Sequence, residues 1–205
     1  WLQPNSQPGC NVVGTLGNHE LDEGAAELLR LIAGGNHEDG PFLDERWQGA
    51  RFPYISANVL DQQTGKPLLA PYTIKYVDHG IRIGIIGAVL KETPTIVTPS
   101  GVAGLQFVDE ADAINAAVRK LRGEDIRTII VTIHQGIRQT NYEGPTDPTI
   151  TDLSGPIVDI VQRLDDEVDV IVSGHAHGFT NALISNQNGK QMLVTQAFSA
   201  STAYG

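Results

Sequence analysis

The chain has 205 residues, 40% of them hydrophobic and 19% charged, which suits one α/β domain with a substantial core and is too short for two large ones. Fourteen Lys and Arg against 24 Asp and Glu give a net charge of -10 with the basic residues scattered, which argues against a nucleic-acid polymer as partner. A small anion would have to be drawn in by something local, and bound divalent cations are the obvious source. No stretch approaches the roughly 18 apolar residues of a transmembrane segment, and the single Cys10 leaves the redox compartment open. The opening WLQPNSQPGC lacks the basic start and apolar run of a signal peptide, and a start at Trp1 suggests an excised piece.

In chain order, residues 11–16 (NVVGTL) read as a short strand, followed by a helix with Ala25, Leu28, Leu29 and Ile32 on one face, stopped by Gly34-Gly35. After an irregular segment, residues 54–59 read as a strand, and residues 72–77 pair with 81–89 through the Asp78-His79-Gly80 turn. Residues 94–104 form a Thr/Pro/Gly loop. A helix over 109–122 then presents Ile114, Ala117, Val118 and Leu121 inward, and TIIVTI (128–133) is a buried strand. A Gly/Pro/Thr/Asp-rich loop spans 136–155, its length mildly favouring a functional lid over a tolerated insertion. Pro156 opens a helix with Ile157, Ile160, Val161 and Leu164 inward; VDVIV (168–172) and two final strands, 181–185 and 191–196, close the chain. Repeated strand-helix-strand units with continuous apolar strands predict mixed β-sheet sandwiched by helices.

The polar clusters fall after strands. Gly17-Asn18-His19-Glu20 follows the first, His134 follows TIIVTI, and Ser173-Gly174-His175-Ala176-His177-Gly178 follows VDVIV, at the strand ends where open α/β sheets build their sites. Imidazole nitrogens with an Asn oxygen suit Zn, Mn, Fe or Co. Asn18, His134 and His175 could share one ion, and His177, in an extended glycine-flanked loop, points away from His175 and could reach a second. Asp22 can turn back to hydrogen-bond and orient His19. Carrying a proton, His19 would stabilise phosphoryl oxygens or protonate the leaving alkoxide while a metal-held hydroxide attacks in line, with the first helix N-terminus adding positive potential.

GTLGNHELDEG, FPYISANV, the isolated IHQG and the SGHAHG loop, in that order, resemble the metallophosphatase domain of the 5'-nucleotidase family within the calcineurin-like metallophosphoesterases, and the likeness runs on to the closing VTQAFSASTAYG. The resemblance implies that fold and hydrolysis of nucleotide phosphate esters by an enzyme using two divalent metal ions. It gives Asn18, His134 and His175 to one ion, His177 to the other, and His19 with Asp22 to the catalytic dyad. It also implies a small-molecule nucleotide substrate and a periplasmic or extracellular location.

The family's first two motifs, Asp-x-His and Gly-Asp, and its C-terminal nucleoside-binding domain are absent from residues 1–205. The chain is therefore expected to be a partial metallophosphatase domain, N-terminally truncated, binding metal weakly and hydrolysing esters poorly alone. Rival expectations are 2',3'-cyclic nucleotide or nucleotide-sugar cleavage by the same machinery, and a catalytically silent binding module on the same fold. The second GNHE, at Gly35-Asn36-His37-Glu38, is expected to be a surface turn and His79 a solvated turn residue, while Asn58 is balanced between approaching the site and capping a turn.

Overall fold

The structure, a computed structural model, describes residues 12–40 and 46–199. In chain order it contains β1 (Gly14–Thr15), α1 (Ala25–Ala33), β2 (Tyr54–Ile55), β3 (Val59–Asp61), β4 (Tyr72–Val77), β5 (Ile81–Val89), β6 (Leu105–Phe107) and α2 (Glu110–Gly123). There follow β7 (Thr128–His134), β8 (Arg138–Gln139), β9 (Leu153–Ser154), α3 (Pro156–Arg163), β10 (Val168–Ser173), β11 (Thr180–Ser185) and β12 (Gln191–Gln196).

Six strands form one sheet in the order β11-β12-β10-β7-β5-β4. The inner four run parallel, with β4 and β11 antiparallel at the edges. The fold is thus mixed α/β, as the continuous apolar strands predict. α2 buries Ile114, Ala117, Val118 and Leu121, and α3 buries Ile157, Ile160 and Val161, in one core with Ile86, Ile129, Val131, Ile133 and Ile171 of the sheet. Each fully buried Val, Leu or Ile among them contributes about 1.5–3 kcal/mol. Among the described residues no helix is long and apolar enough to cross a membrane.

A second core, made of Leu16, Leu21, Leu28, Val59, Val89 and Leu90, joins the segment after β1 to α1 and the end of β5. Here the strand expected over 54–59 divides. β2 pairs in parallel with β1, whereas β3 pairs antiparallel with β6, a strand the sequence does not announce. Between them the backbone turns to other partners: Ser56 N donates to Ala70 O at 3.0 Å and Ala57 N to Gly87 O at 2.7 Å. Gly87 is required for this approach, since a Cβ there would stand 2.4 Å from Ile55 O. On α1, Leu28 and Ile32 take the inward stripe one turn apart. Leu29, expected inward, is exposed because it lies about 100° further round the helix.

The 136–155 loop carries the β8–β9 antiparallel pair and is tied to β11, where Asn181 N donates to Gln139 Oε1 at 3.0 Å and Asn181 Nδ2 to Gly144 O at 3.1 Å.

Candidate metal centre

Register brings two of the three polar clusters together. His134, the last residue of β7, lies opposite Val89, and Ser173 of β10 lies opposite Ile133, so the chain leaving β10 passes directly beside the end of β7. Since Ile133 faces the helices, alternation directs His134 to the other side of the sheet. The third cluster arrives from β1, which belongs to its own pair with β2 rather than to the six-stranded sheet. The Thr15 hydroxyl, 3.3 Å from Ile55 O and 3.4 Å from Thr132 O, ties β1 to the main sheet two residues before His134.

Asn18, 4% exposed, presents Oδ1 at 3.0 Å from His134 Nε2, and His175 Nδ1 lies 3.3 Å from the same nitrogen. The two imidazoles meet edge to face with centroids 5.1 Å apart. Two atoms able to ligate thus flank a third, and a single proton on His134 Nε2 could satisfy only one of its two neighbours well. Nitrogen and oxygen donors about 2.0–2.2 Å from a zinc-class ion stand about 2.9–3.5 Å from one another in tetrahedral or octahedral sets, and the observed separations fall in that range. Burial, and next the neighbouring His175, His19 and His177, push the His134 pKa down to about 4, so its ring is neutral at pH 7. His175 is lowered too, by burial first and then by His177 and His19. Among the described residues no group of three or more His, Cys, Asp and Glu is placed to hold a metal; the set is two imidazoles and an amide.

Close approach fixes this geometry. A Cβ on Gly17 would meet the His134 ring at 3.0 Å and Glu20 Oε2 at 2.9 Å, while Gly17 N donates to that same Glu20 oxygen at 2.6 Å. His175 and His177 both adopt left-handed backbone, with φ of 72° and 55°, so the loop expected to be extended is instead coiled. Non-glycine residues held in that region cost on the order of 1–3 kcal/mol each and concentrate at functional sites. His177 is exposed at the rim. Behind the loop, Gln196, which is buried, donates from Nε2 to Gly178 O at 3.0 Å and to Ile137 O at 3.1 Å. Sequence reasoning missed this brace because the glutamine ends a strand 18 residues beyond its partner.

His19 opens a short 3-10 turn, His19–Leu21, which comes before α1, so Asp22 sits in that turn region and not on the helix. His19 Nδ1 and Asp22 Oδ2 are 2.8 Å apart, with the side chains 79% and 50% exposed. A cavity of about 460 Å³ opens beside His19, lined also by Glu20, Trp47, Arg51, Phe52 and Tyr54. The remaining candidates lie elsewhere. His37 accepts from Asp39 N at 3.2 Å in a surface turn, and His79 is exposed in the β4–β5 turn with a φ of 62°. Asn58 is structural: its Nδ2 donates to Val89 O at 2.6 Å and Val108 O at 3.2 Å, and its Oδ1 accepts from Val89 N at 3.0 Å.

Comparison with known proteins decides the family. The profile of the calcineurin-like phosphoesterases matches residues 2–179. The chain belongs to the calcineurin-like phosphoesterase family. A relative is the endonuclease YhcR of Bacillus subtilis, 35% identical over 193 residues, covering 94% of this chain and 14% of that protein. Another is the cell wall protein Lmo0130 of Listeria monocytogenes, 31% identical over 191 residues, covering 89% and 24%. Among solved structures, the 5'-nucleotidase precursor of Thermus thermophilus superposes with a TM-score of 0.67 at 28% identity, covering 91% of this chain and 33% of that one. The proteins this chain resembles thus include a 5'-nucleotidase, and members of the calcineurin-like family use divalent metals. The chain spans between 14% and 33% of the length of these three proteins.

Proposed function

We propose that this domain carries part of the machinery for metal-dependent hydrolysis of nucleotide phosphate esters, of the 5'-nucleotidase type. The observation that carries the reading is the convergence of Asn18 Oδ1, His134 Nε2 and His175 Nδ1 at separations of 3.0 and 3.3 Å. These three would hold one divalent ion of the Zn, Mn, Fe or Co class, with His177 the ligand this chain offers to a second. A divalent ion there would neutralise phosphoryl charge and make water a competent nucleophile near neutral pH.

The chain's own residues do the rest. All three donors are uncharged in their ligating forms, so the set adds no negative charge against a phosphate. Donation from His19 Nδ1 to Asp22 fixes the tautomer and leaves Nε2 free to carry a proton to the leaving oxygen. The exposure of this pair is what a group that must meet a substrate requires. The cavity beside His19, in the size range of small-ligand sites, favours a small molecule such as a nucleotide over a polymer. A catalytically silent module would have no use for the His19–Asp22 pair. The cell wall relative and the 5'-nucleotidase precursor support a periplasmic or extracellular location.

The test has two parts. Calorimetry on the 205-residue chain should show one weak site for Mn²⁺ or Zn²⁺, and two tight sites would contradict the partial-domain account. Parallel assays of the full-length gene product on AMP, a 2',3'-cyclic nucleotide and a UDP-sugar should give the highest kcat/KM on AMP; preference for either diester would move the assignment to that substrate class.

A further inference from the structure

A buried carboxylate lies outside the site and is joined to it through hydrogen bonds. Glu110, the first residue of α2, is 1% exposed, and burying a carboxylate is costly unless it is hydrogen-bonded. Its Oε1 accepts from Lys91 N at 3.0 Å, just past the end of β5, and from Gln135 Nε2 at 3.2 Å, the residue after His134. Position at a helix N-terminus further favours the negative charge.

Gln135, itself 4% exposed, is fully engaged. Besides Glu110 it donates to Glu92 Oε2 at 3.4 Å, and its Oε1 accepts from Gly136 N at 2.8 Å, so the side chain curls back over its own peptide and locks the exit of β7. Leu90 N donates to His134 O at 3.0 Å alongside. Gly136 in turn lies under the third motif, where a Cβ would stand 3.2 Å from Ala176 Cβ and 3.8 Å from His175 Cδ2. Hydrogen bonds therefore run from α2 through Glu110 and Gln135 to the Gly136 amide, two residues after His134, and Gly136 stands beside the His175-Ala176 segment. A cavity of about 250 Å³ beside this path, rimmed by Lys91, Asp159 and Arg163, leaves room for the path to slacken once the carboxylate is removed.

We infer that Glu110 is a positioning residue that sets where the rings of His134 and His175 stand relative to each other. For its consequence on metal binding the inference rests on the metal-centre reading; for ring placement it does not. Groups that orient metal ligands through hydrogen bonds change affinity by about 10–100-fold when removed, and Glu110, one step further out, belongs at the lower end.

The experiment compares the 205-residue wild-type chain with Glu110→Ala, Glu110→Gln and a control, Val118→Ala, which opens a cavity in the same helix without touching this path. Histidine ring signals are followed by ¹H–¹⁵N NMR first without metal and then during Zn²⁺ titration. Glu110→Ala should move the metal-free His134 and His175 signals and the Gly136 amide, and weaken Zn²⁺ binding about ten-fold. Glu110→Gln, which keeps an acceptor oxygen, should restore both to near wild type, and Val118→Ala should leave both unchanged. Metal-free ring signals unmoved by Glu110→Ala would overturn the inference, as would equal effects from Val118→Ala. Wild-type rings indifferent to Zn²⁺ would instead overturn the metal-centre reading, with the metal-free comparison still deciding the role of Glu110.

Discussion

The two sides of the candidate site are built differently. Asn18, His134 and His175 are buried or half-buried, held by sheet register, by glycines that admit close approach and by a glutamine brace behind the loop. His19 and Asp22 stand exposed at the rim, and among the described residues His19 is restrained by its side-chain hydrogen bond to Asp22. On the proposed function, the difference separates two tasks. Ligands for an ion need fixed mutual spacing, which only packing supplies, whereas a group that meets substrate needs access and one orienting partner.

The sharpest way to break this comparison is to cut each side separately. His134→Ala should remove metal binding and lower metal-dependent phosphoesterase activity of the full-length protein about 10³-fold or more. His19→Ala should lower kcat about 10²–10³-fold while leaving metal affinity within two-fold, checked by calorimetry on the same preparation. If His19→Ala weakened metal binding as much as His134→Ala, the division into an inner and an outer side would be wrong.

Asn58 sharpens the contrast from the scaffold. Like Asn18 it is a buried asparagine near a strand end, but its amide is consumed by the backbone of Val89 and Val108. Asn58→Ala would strip partners from Val89 N and O, so chemical denaturation should show a loss of about 2–3 kcal/mol. Asn18→Ala should cost far less stability and abolish metal binding instead.

The smallest expected effect lies furthest from the rim, at the start of α2. Asp109 caps that helix by accepting from Asp112 N, and the Arg163 guanidinium, with further help from that backbone bond and Lys91, holds its carboxyl at about 2, well below the usual 3.8. A depressed native pKa means stability that is present above the unfolded value and is lost as pH falls from about 4 towards 2. Asp109→Asn should therefore cost on the order of 1–2 kcal/mol in urea denaturation at pH 7, allowing for solvent screening of a partly exposed pair, and nearly nothing at pH 2.

Much of this was legible in the sequence where signals are local. The inward face of α2, the β4–β5 hairpin and the strands preceding His134 and His175 follow from periodicity and turn residues. The candidate site residues were legible as clusters after strands, and in the structure Asn18 and His175 both stand next to the His134 ring. What escaped was set by partners distant in sequence. The break in residues 54–59 arises because Ala57 bonds to Gly87, and β6 exists because it faces β3. Likewise Asn58, Gln196 and Glu110 have roles defined only by the carbonyls and amides they reach, about which residue type alone is silent.

The central claim is that Asn18, His134 and His175 surround one divalent ion. The most direct measurement is an anomalous-difference map from crystals of this chain soaked in Mn²⁺ or Zn²⁺. The account predicts a peak about 2.0–2.3 Å from Asn18 Oδ1, His134 Nε2 and His175 Nδ1. Strong peaks only at surface histidines such as His37 or His79, with the His134 and His175 rings still hydrogen-bonded to each other, would contradict it.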